Sequence, residues 1–390
     1  MITTDKAVKI ILDSVKTKNI SEEIYVSDSL DRVCFENIYS NIDIPSFTRS
    51  AMDGYAIVFK EGCNKYEIIE EENKLKSGKC IRINTGFPIP NIADAVVEVE
   101  KTDIKDGFII IKEKIEPERN FTKIGSELKK GELLVKNGEH ITAKKRALLA
   151  YAGIVTLRVY QKPIIGIITT GDEVVFPSCN LPKHSVYNAN FFILDGLLKK
   201  WGANCIYFGH IPDEKDVFKE RLGYALERCD IVLTTGGVSK GTKDYTKDTL
   251  QNIGANILID KSTIKPGKPT AFATYKDKYI FALPGWPAAL YTVAYIYLKP
   301  FILKFSGFKD YENKFLEGIL DEDMHSRLGK DYFNRVFVEK RNGKFYLKNT
   351  KSQKTDNFYS ISQADGLVWL NTELENTTKG SKLPFIFLDD

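Results

Sequence analysis

The chain has 390 residues, enough for two or three domains with separate hydrophobic cores. Its 56 basic and 52 acidic residues give a net charge of +4, without the Lys/Arg blocks and interleaved aromatics of nucleic-acid-binding proteins. No uncharged run reaches the ~18 residues that cross a bilayer, and the N-terminus has no apolar signal region. The six cysteines form no Cys-x-x-Cys pair or zinc pattern. We expect a cytoplasmic protein that binds neither membranes nor nucleic acids.

The first 160 residues predict helices interrupted by β structure. Helical patterns occur at 4–17 and 141–154, and a second short helix is predicted at 27–37. Between them, short β-like runs separated by Gly, Pro, Asn and Asp occupy 41–127. This order is typical of a split helical domain with a β-rich insertion.

From residue 162 onward, strand and helix patterns alternate. This alternation predicts a mostly parallel, doubly wound sheet covered by helices on both faces. The predicted strands are 163–169, 205–210, 230–235, 256–260, 271–275 and 279–283, and the helices are 190–201, 214–228, 244–252 and 288–305. After about residue 307 the β-like segments return. The predicted fold class is therefore α/β plus β, with a split N-terminal helical domain (1–40 and 128–160), a β-rich insertion domain (41–127), an α/β domain (161–306) and a small C-terminal β domain (307–390).

A glycine-rich segment follows the strand predicted at 230–235. Residues 233–241 read Leu-Thr-Thr-Gly-Gly-Val-Ser-Lys-Gly, and Asp244 opens the next predicted helix. A strand that ends in glycines and leads into a helix can bind an anion, because the first helical N–H groups lack partners and glycine lets a ligand approach them. A tight turn without a ligand explains this segment equally well.

Polar residues follow the other predicted strands at the edge where ligands of such sheets bind. They are Thr169-Thr-Gly-Asp-Glu173, Asp213, the Lys-Pro-Gly-Lys-Pro loop at 265–269 and the Leu-Pro-Gly-Trp-Pro loop at 283–287. Lys265 or Lys268 could hold an oxyanion, and Mg²⁺ could bridge carboxylate and phosphate oxygens. Each carboxylate alone also fits a helix cap, and the loop at 265–269 also fits a rigid turn. Their convergence on one edge favours the anion site.

The insertion contains further loop motifs at 45–56, 82–90 and 93–97, the first with Asp53 beside a glycine. Composition alone assigns them to turns. No Ser/His/Asp pattern is present, and the four histidines share no motif. Covalent catalysis is therefore disfavoured.

Taken together, seven motifs in order resemble the molybdopterin molybdenumtransferase family, MoeA, also known as the E domain of gephyrin-like proteins. The resemblance covers nearly the whole chain. The motifs are at 50–56, 85–90, 93–97, 170–173, 236–241 with Asp244, 265–269 and 283–287.

The resemblance implies a four-domain homodimer whose α/β domain is of the molybdopterin-binding type. Such a transferase inserts molybdate into adenylyl-molybdopterin with Mg²⁺ present and releases AMP and molybdenum cofactor. The resemblance also implies an active site shared between the α/β domain of one subunit and the insertion of the other. Implied protein partners are a molybdopterin-adenylating enzyme and molybdoenzyme chaperones.

The resemblance also implies site residues, at the positions of this chain that match the family's functional positions. The catalytic residues are Asp53, Glu127, Glu173, Asp213 and Asp244, of which Glu173, Asp213 and Asp244 are also the predicted Mg²⁺ ligands. The predicted cofactor-binding residues are Thr170, Gly171, Gly236, Gly237, Ser239, Gly241, Lys265, Lys268, Pro269, Pro284, Pro287 and Arg335.

Five residues depart from the family's usual pattern. Trp286 replaces an Asn and Ala289 replaces a Ser, while Lys240, Thr242 and Lys243 make the glycine loop more positive. With these departures, the oxyanion could be molybdate or tungstate. They are also compatible with a less active paralogue. Two other functions remain alternatives: a molybdopterin adenylyltransferase, and a non-catalytic cofactor-binding or scaffold protein.

Overall fold

The structure is a computed structural model that describes residues 1–177, 180–236 and 245–388. Within these residues, three six-stranded sheets form the insertion, the α/β region and the C-terminal region. The first helix is Thr4–Ser14, and its buried Ala7 and Ile11 pack into the core of the α/β region.

The split helical domain is held together by pairing between its two chain segments. Strand Ser21–Tyr25 pairs antiparallel with Thr156–Tyr160, and Ile38–Tyr39 pairs with Leu133–Val135. Helix Ala143–Tyr151 packs into the same small core through buried Leu149.

The prediction of a helix at 27–37 is wrong. Only the 3₁₀ turn Val26–Asp28 forms there, and the following backbone bonds to distant segments. Cys34 N–H donates to the Glu139 carbonyl, and Phe35 N–H donates to the Arg158 carbonyl. These long-range hydrogen bonds satisfy the backbone, so local helical propensity does not decide its conformation.

The insertion is a six-stranded mixed sheet with apolar residues on both faces. Its strands, in spatial order, are Ala95–Glu98, Gly54–Ile57, Lys79–Ile83, Lys65–Ile69, Phe108–Ile111 and Thr102–Lys105. The short strands Arg49–Ser50 and Phe121–Thr122 pair beside this sheet. Their pairing fixes the base of the loop that carries Asp53.

The α/β region contains four neighbouring parallel strands, as expected, but its edge is antiparallel. The spatial order is Asn204–Ile211, Ile164–Thr170, Ile231–Thr235, Lys278–Leu283, Ala271–Tyr275 and Asn256–Ile259. The chain adds Asn204–Ile211 on one side of Ile164–Thr170 and Ile231–Thr235 on the other. The connection therefore reverses direction beside Ile164–Thr170, and such a switch point opens a crevice at the carboxyl ends of the strands.

Helices cover both faces of this sheet, and each face has its own apolar cluster. They are Ala189–Lys200, Lys215–Arg228, Tyr245–Asn252 and the apolar helix formed by Pro287–Val293, a π-helical segment Ala294–Leu298 and Lys299–Phe305. Among the described residues, this last helix (287–305) alone is long and apolar enough for a membrane span. In the structure 83% of its apolar window is buried within the protein, where it forms the centre of the core.

The C-terminal sheet is joined to the α/β region by a shared strand. Its own strands are Leu316–Leu320, Asp331–Arg341, Lys344–Asn349, Gly366–Leu370 and Lys382–Phe387, and a short helix covers Tyr359–Ser362. Strand Ile264–Lys265, from the lysine loop, pairs in parallel with Asp331–Arg341. The lysine loop is thus part of both regions.

Buried Asp331 connects three parts of the chain at this junction. Its carboxylate accepts hydrogen bonds from the Thr4 backbone N–H (2.9 Å), the Trp369 indole N–H (3.1 Å) and the Thr263 hydroxyl. The first helix, the lysine-loop strand and the C-terminal sheet are therefore held to one another at this side chain.

Candidate active site

A cavity of about 720 Å³ lies at the carboxyl ends of the parallel strands. This volume lies within the range of small-molecule sites. Most lining residues come from the α/β region, and the C-terminal region contributes Lys330, Thr355 and Asp356. Of the predicted site residues, the cavity brings together Thr170, Gly171, Glu173, Asp213, Gly236, Lys265, Lys268, Pro269, Pro284 and Pro287.

Close backbone contact at the switch point shapes the cavity floor. Gly236 has φ of +100°, and a Cβ there would lie 2.4 Å from Thr170 Oγ1 and 2.6 Å from the Thr170 carbonyl oxygen. A Cβ on Gly285 would lie 3.6 Å from the Gly236 Cα. Only glycine fits at Gly236, because the conformation and the space both exclude a side chain. Three loops therefore meet backbone to backbone.

The lysine loop supplies positive charge at the cavity wall. Its turn requires Gly267, whose φ is +123° and whose Cβ would lie 2.4 Å from Val293 Cγ2. Lys265 Nζ donates to Tyr332 Oη at 3.2 Å and lies 4.7 Å from that ring's centroid. Lys268 and Lys330 line the same cavity. Three ammonium groups on one concave surface attract an anionic ligand.

Three carboxylates line the cavity: Glu173 and Asp213 from the α/β region, and Asp356 from the C-terminal region. Glu173 and Asp213 are the predicted cation ligands among them. The neighbouring Asp172 Oδ1 accepts a hydrogen bond from the Asp213 backbone N–H at 3.0 Å, so Asp172 stabilises the loop. The described residues contain no cluster of three or more His, Cys, Asp or Glu suited to a metal. Mg²⁺ commonly uses one or two carboxylates together with substrate phosphates and water. Glu173 and Asp213 therefore fit Mg²⁺ if substrate phosphates and water supply the remaining ligands.

A polar network beneath the cavity holds the turn that leads to Glu173. His210 Nε2 lies 2.8 Å from the Gly171 carbonyl, which can only accept, so Nε2 carries the proton. The other ring nitrogen lies 3.2 Å from Thr169 Oγ1. The Asn188 amide donates to Thr169 Oγ1 (2.9 Å) and to Tyr207 Oη (3.1 Å), and burial raises the pKa of Tyr207. The network fixes the Gly171 backbone from below.

A second amide ties the helix Ala189–Lys200 to the loop that carries Trp286. Asn190 Nδ2 donates to Thr235 Oγ1 and to the Gly285 carbonyl, each at 2.8 Å. Thr235 Oγ1 in turn donates to the Pro284 carbonyl at 3.0 Å. Both asparagines line the cavity, yet sequence patterns gave no reason to select them, because their partners come from separate strands and loops.

Two predicted acids, Asp53 and Glu127, do not line this cavity. Asp53 is exposed, and its Oδ1 accepts from the Thr85 backbone N–H (2.6 Å) and hydroxyl (2.8 Å), which lowers the pKa of this carboxyl. Glu127 accepts from Arg49 (2.8 Å) and from the Tyr151 hydroxyl (2.9 Å). Asp53 is thus an exposed, ionised carboxylate. Glu127, in contrast, connects its loop to the helix Ala143–Tyr151.

Arg335 also lies outside the cavity lining, and only 1% of it is exposed. Its guanidinium donates to the Lys354 carbonyl (3.2 Å) and to Gln353 Oε1 (3.3 Å), and burial lowers its pKa to about 10. Arg335 therefore holds the segment just before Thr355 and Asp356, which do line the cavity. The predicted residues Gly237, Ser239, Gly241 and Asp244 lie outside the described residues.

The fold and the cavity define a multidomain α/β protein whose cationic site suits an anionic small molecule. Three family models cover the chain: "MoeA N-terminal region (domain I and II)" at 2–153, "Probable molybdopterin binding domain" at 166–304 and "MoeA C-terminal region (domain IV)" at 317–388.

Individual proteins agree with these models. The chain is 30% identical to a molybdopterin molybdenumtransferase of Haemophilus influenzae over 97% of both proteins. It is 29% identical to the Bacillus subtilis molybdopterin molybdenumtransferase over 95% of this chain and 90% of that protein. A crystal structure of a molybdopterin biosynthesis MoeA protein from Pyrococcus horikoshii superposes with a TM-score of 0.83 at 26% identity, covering 99% of this chain and 100% of that one. The chain therefore belongs to the molybdopterin molybdenumtransferase (MoeA) family. The expected family and fold class are confirmed, while the domain boundaries stay a prediction.

Proposed function

We propose that this protein inserts molybdenum into adenylyl-molybdopterin and releases AMP. The observation that carries the proposal is the cavity itself, which combines Lys265, Lys268 and Lys330 with Glu173 and Asp213 at a switch point. A negatively charged nucleotide conjugate and a small oxyanion both need cations and closely approaching backbone. The curated relatives carry the name of this activity.

The chemistry requires two changes of bonding. Water adds to the phosphoanhydride: its oxygen bonds to one phosphorus, and the bridging oxygen leaves with the other, which gives AMP and the pterin phosphate. The dithiol replaces one oxygen of molybdate, and that oxygen leaves as water with the two thiol protons. Neither change requires an oxidant or a reductant.

The residues of the cavity can divide this work. Lys265, Lys268 and Lys330 attract and orient the oxyanion and the phosphates, which is electrostatic positioning. We propose that Glu173 and Asp213 hold Mg²⁺. When bound, Mg²⁺ would neutralise charge on the phosphoanhydride. One of the two carboxylates can orient the attacking water.

The direct test uses purified protein, adenylyl-molybdopterin, molybdate and Mg²⁺. AMP release is followed by chromatography, and active cofactor is measured by reconstituting an apo-molybdoenzyme. We expect both products, and chelation of Mg²⁺ should abolish them. Binding of adenylyl-molybdopterin without AMP release would reject the proposal in favour of a cofactor carrier. Use of ATP with unmodified molybdopterin would reject it in favour of an adenylyltransferase.

A pair of lysine variants shows whether the cavity performs the reaction. Lys268→Met removes a cavity cation and should lower kcat/KM roughly 100-fold, the usual cost of losing one oxyanion-stabilising group. Lys219→Met, on an exposed surface of the helix Lys215–Arg228, is the matched control and should leave activity unchanged. Equal activity of the two variants would place the reaction elsewhere.

We further propose a homodimer in which the partner's insertion completes the site. Asp53 is ionised and exposed, yet it lies outside the cavity of its own chain. Large exposed apolar side chains surround its loop: Phe47, Met52, Phe87 and Ile124. Such side chains on neighbouring loops are typical of an interaction surface.

Subunit mixing tests the shared site. Asp53→Asn and Lys268→Met chains should each be nearly inactive alone, whereas their heterodimer regains one intact site. A random mixture should therefore recover about a quarter of wild-type activity, as a symmetric dimer requires. No recovery, with heterodimers verified by mass spectrometry, would show that Asp53 acts within its own chain. Full activity of the Asp53→Asn chain alone would show that Asp53 takes no part in the reaction.

A further inference from the structure

Trp286 is the tryptophan that lines the cavity. Of the three tryptophans in the chain, Trp201 is 4% exposed and belongs to the core, and Trp369 donates its indole N–H to Asp331. Trp286 lines the cavity and is 60% exposed. An indole left this open at the wall of a small-molecule cavity has an apolar face available to a ligand.

The backbone beneath the indole is firmly anchored. The Trp286 carbonyl accepts from the Ala289 N–H (3.0 Å) and the Leu290 N–H (2.9 Å), which starts the apolar helix. Pro287 fixes its own φ and restricts the backbone of the preceding Trp286. The preceding Gly285 carbonyl accepts the Asn190 amide. The ring is therefore presented from a rigid base, which lowers the entropy lost when a ligand binds.

Tyr187 adds a second exposed aromatic ring to the same cavity. It is 43% exposed, and its strand Val186–Tyr187 pairs with Val174–Val175, so its backbone is also held in place. The small, buried Ala289 lines the cavity one turn after Trp286. This wall thus offers aromatic surface and room, while the charged groups belong to other loops.

We propose that Trp286 is a stacking platform for a planar heteroaromatic ring of the substrate, with Tyr187 as a second contact. The identity of the ring rests on the proposed function, because adenylyl-molybdopterin carries a purine and a pterin. Stacking on an indole face needs no particular hydrogen-bond pattern and suits either ring. The lysine loop binds the anionic groups, and Trp286 sets affinity for the planar part.

Tryptophan fluorescence isolates this contact. AMP and a free pterin are titrated separately, with corrections for their absorbance, and the ring that quenches Trp286 emission is the one that stacks. Trp286→Phe should lose the quenching but keep affinity within about threefold, since a phenyl ring still stacks. Trp286→Ala should bind the same ligand about tenfold more weakly.

Steady-state kinetics adds a readout that general structural damage would not reproduce. Trp286→Ala should raise KM for adenylyl-molybdopterin about tenfold with kcat nearly unchanged, and Tyr187→Ala should do so to a lesser extent. Tyr359→Ala, an exposed aromatic outside the cavity lining, is the matched control and should change neither parameter.

The two proposals fail in different ways. Quenching by AMP or pterin without AMP release from the conjugate would reject the transferase function and keep the stacking platform. Normal turnover with unchanged KM and ligand affinity in Trp286→Ala would keep the function and reject the platform. Wild-type emission that responds to neither ring would also reject it.

Discussion

Replacement of Gly236 by alanine is the sharpest structural test of the cavity floor. The new Cβ would lie 2.4 Å from Thr170 Oγ1 and 2.6 Å from the Thr170 carbonyl oxygen, at a φ of +100°. The conformational strain costs about 1–2 kcal/mol, and the overlap with neighbouring atoms costs about 1–3 kcal/mol. Rotation of the Thr170 side chain can relieve only the contact with its hydroxyl. We therefore expect a total near 3–4 kcal/mol.

Gly254→Ala is the matched control for strain without overlap. Gly254 follows the helix Tyr245–Asn252 at a φ of +79°, and a Cβ added there would have no described atom within 4 Å. Its replacement should cost only about 1 kcal/mol. If the α/β region unfolds as one cooperative unit, each kcal/mol lost from its free energy of unfolding lowers Tm by about 2–4 °C. Calorimetry should therefore show a fall of about 6–16 °C for Gly236→Ala and about 2–4 °C for the control.

Ligand binding adds a second measurement to this comparison. Gly236→Ala should weaken AMP binding because the three loops that meet at Gly236 must separate, whereas Gly254→Ala should not. A double variant with Thr170→Ala should recover part of the lost stability, since it removes the hydroxyl overlap but leaves the backbone overlap. Equal Tm values for the two glycine variants would refute the close-contact argument.

Three further predictions concern other parts of the chain. Asp53 has a lowered pKa in the folded protein, so its contribution to stability is complete above its unfolded pKa and disappears as pH falls through its folded pKa. Thr85→Val removes the hydroxyl donor and should raise the pKa of Asp53 measured by NMR titration. An unchanged pKa would contradict the assigned hydrogen bond. Asp331→Ala leaves three donors, two of them buried, without their acceptor and should cost about 3–5 kcal/mol in denaturant unfolding. A cost below about 1 kcal/mol would refute its connecting role. Gly196→Ala, inside the helix Ala189–Lys200 with open space around it, should stabilise the protein by about 0.5–1 kcal/mol, and a loss of Tm would contradict that geometry.

Local sequence patterns predicted most of the α/β elements because their signals are local. Alternating apolar strands and amphipathic helices follow from short-range periodicity, and the strand Ala271–Tyr275 was predicted at its observed bounds. The segment at 27–37 failed for the opposite reason. Its backbone partners lie about 100 residues away, at Glu139 and Arg158, and no local propensity contains that information.

The candidate site divides in the same way. Glycines, lysines and carboxylates that follow strands could be selected from the sequence, because the carboxyl ends of parallel strands meet at one edge. The strand order could not be predicted from the sequence. The chain connection reverses direction beside Ile164–Thr170, and this reversal places Thr170 against Gly236. Lys330, Thr355 and Asp356 reach the cavity only because the strand Ile264–Lys265 joins the C-terminal sheet.

By itself, the sequence determined the family, the fold class and the chemical character of the site, since each is encoded in residue types at short spacing. Only the tertiary structure decided which of these residues share a cavity. It placed Asp53 on an exposed loop, Arg335 in the interior and Trp286 on the cavity wall. The physical reason is that burial and proximity arise from contacts between segments distant in the chain, and such contacts depend on the packing of the whole fold.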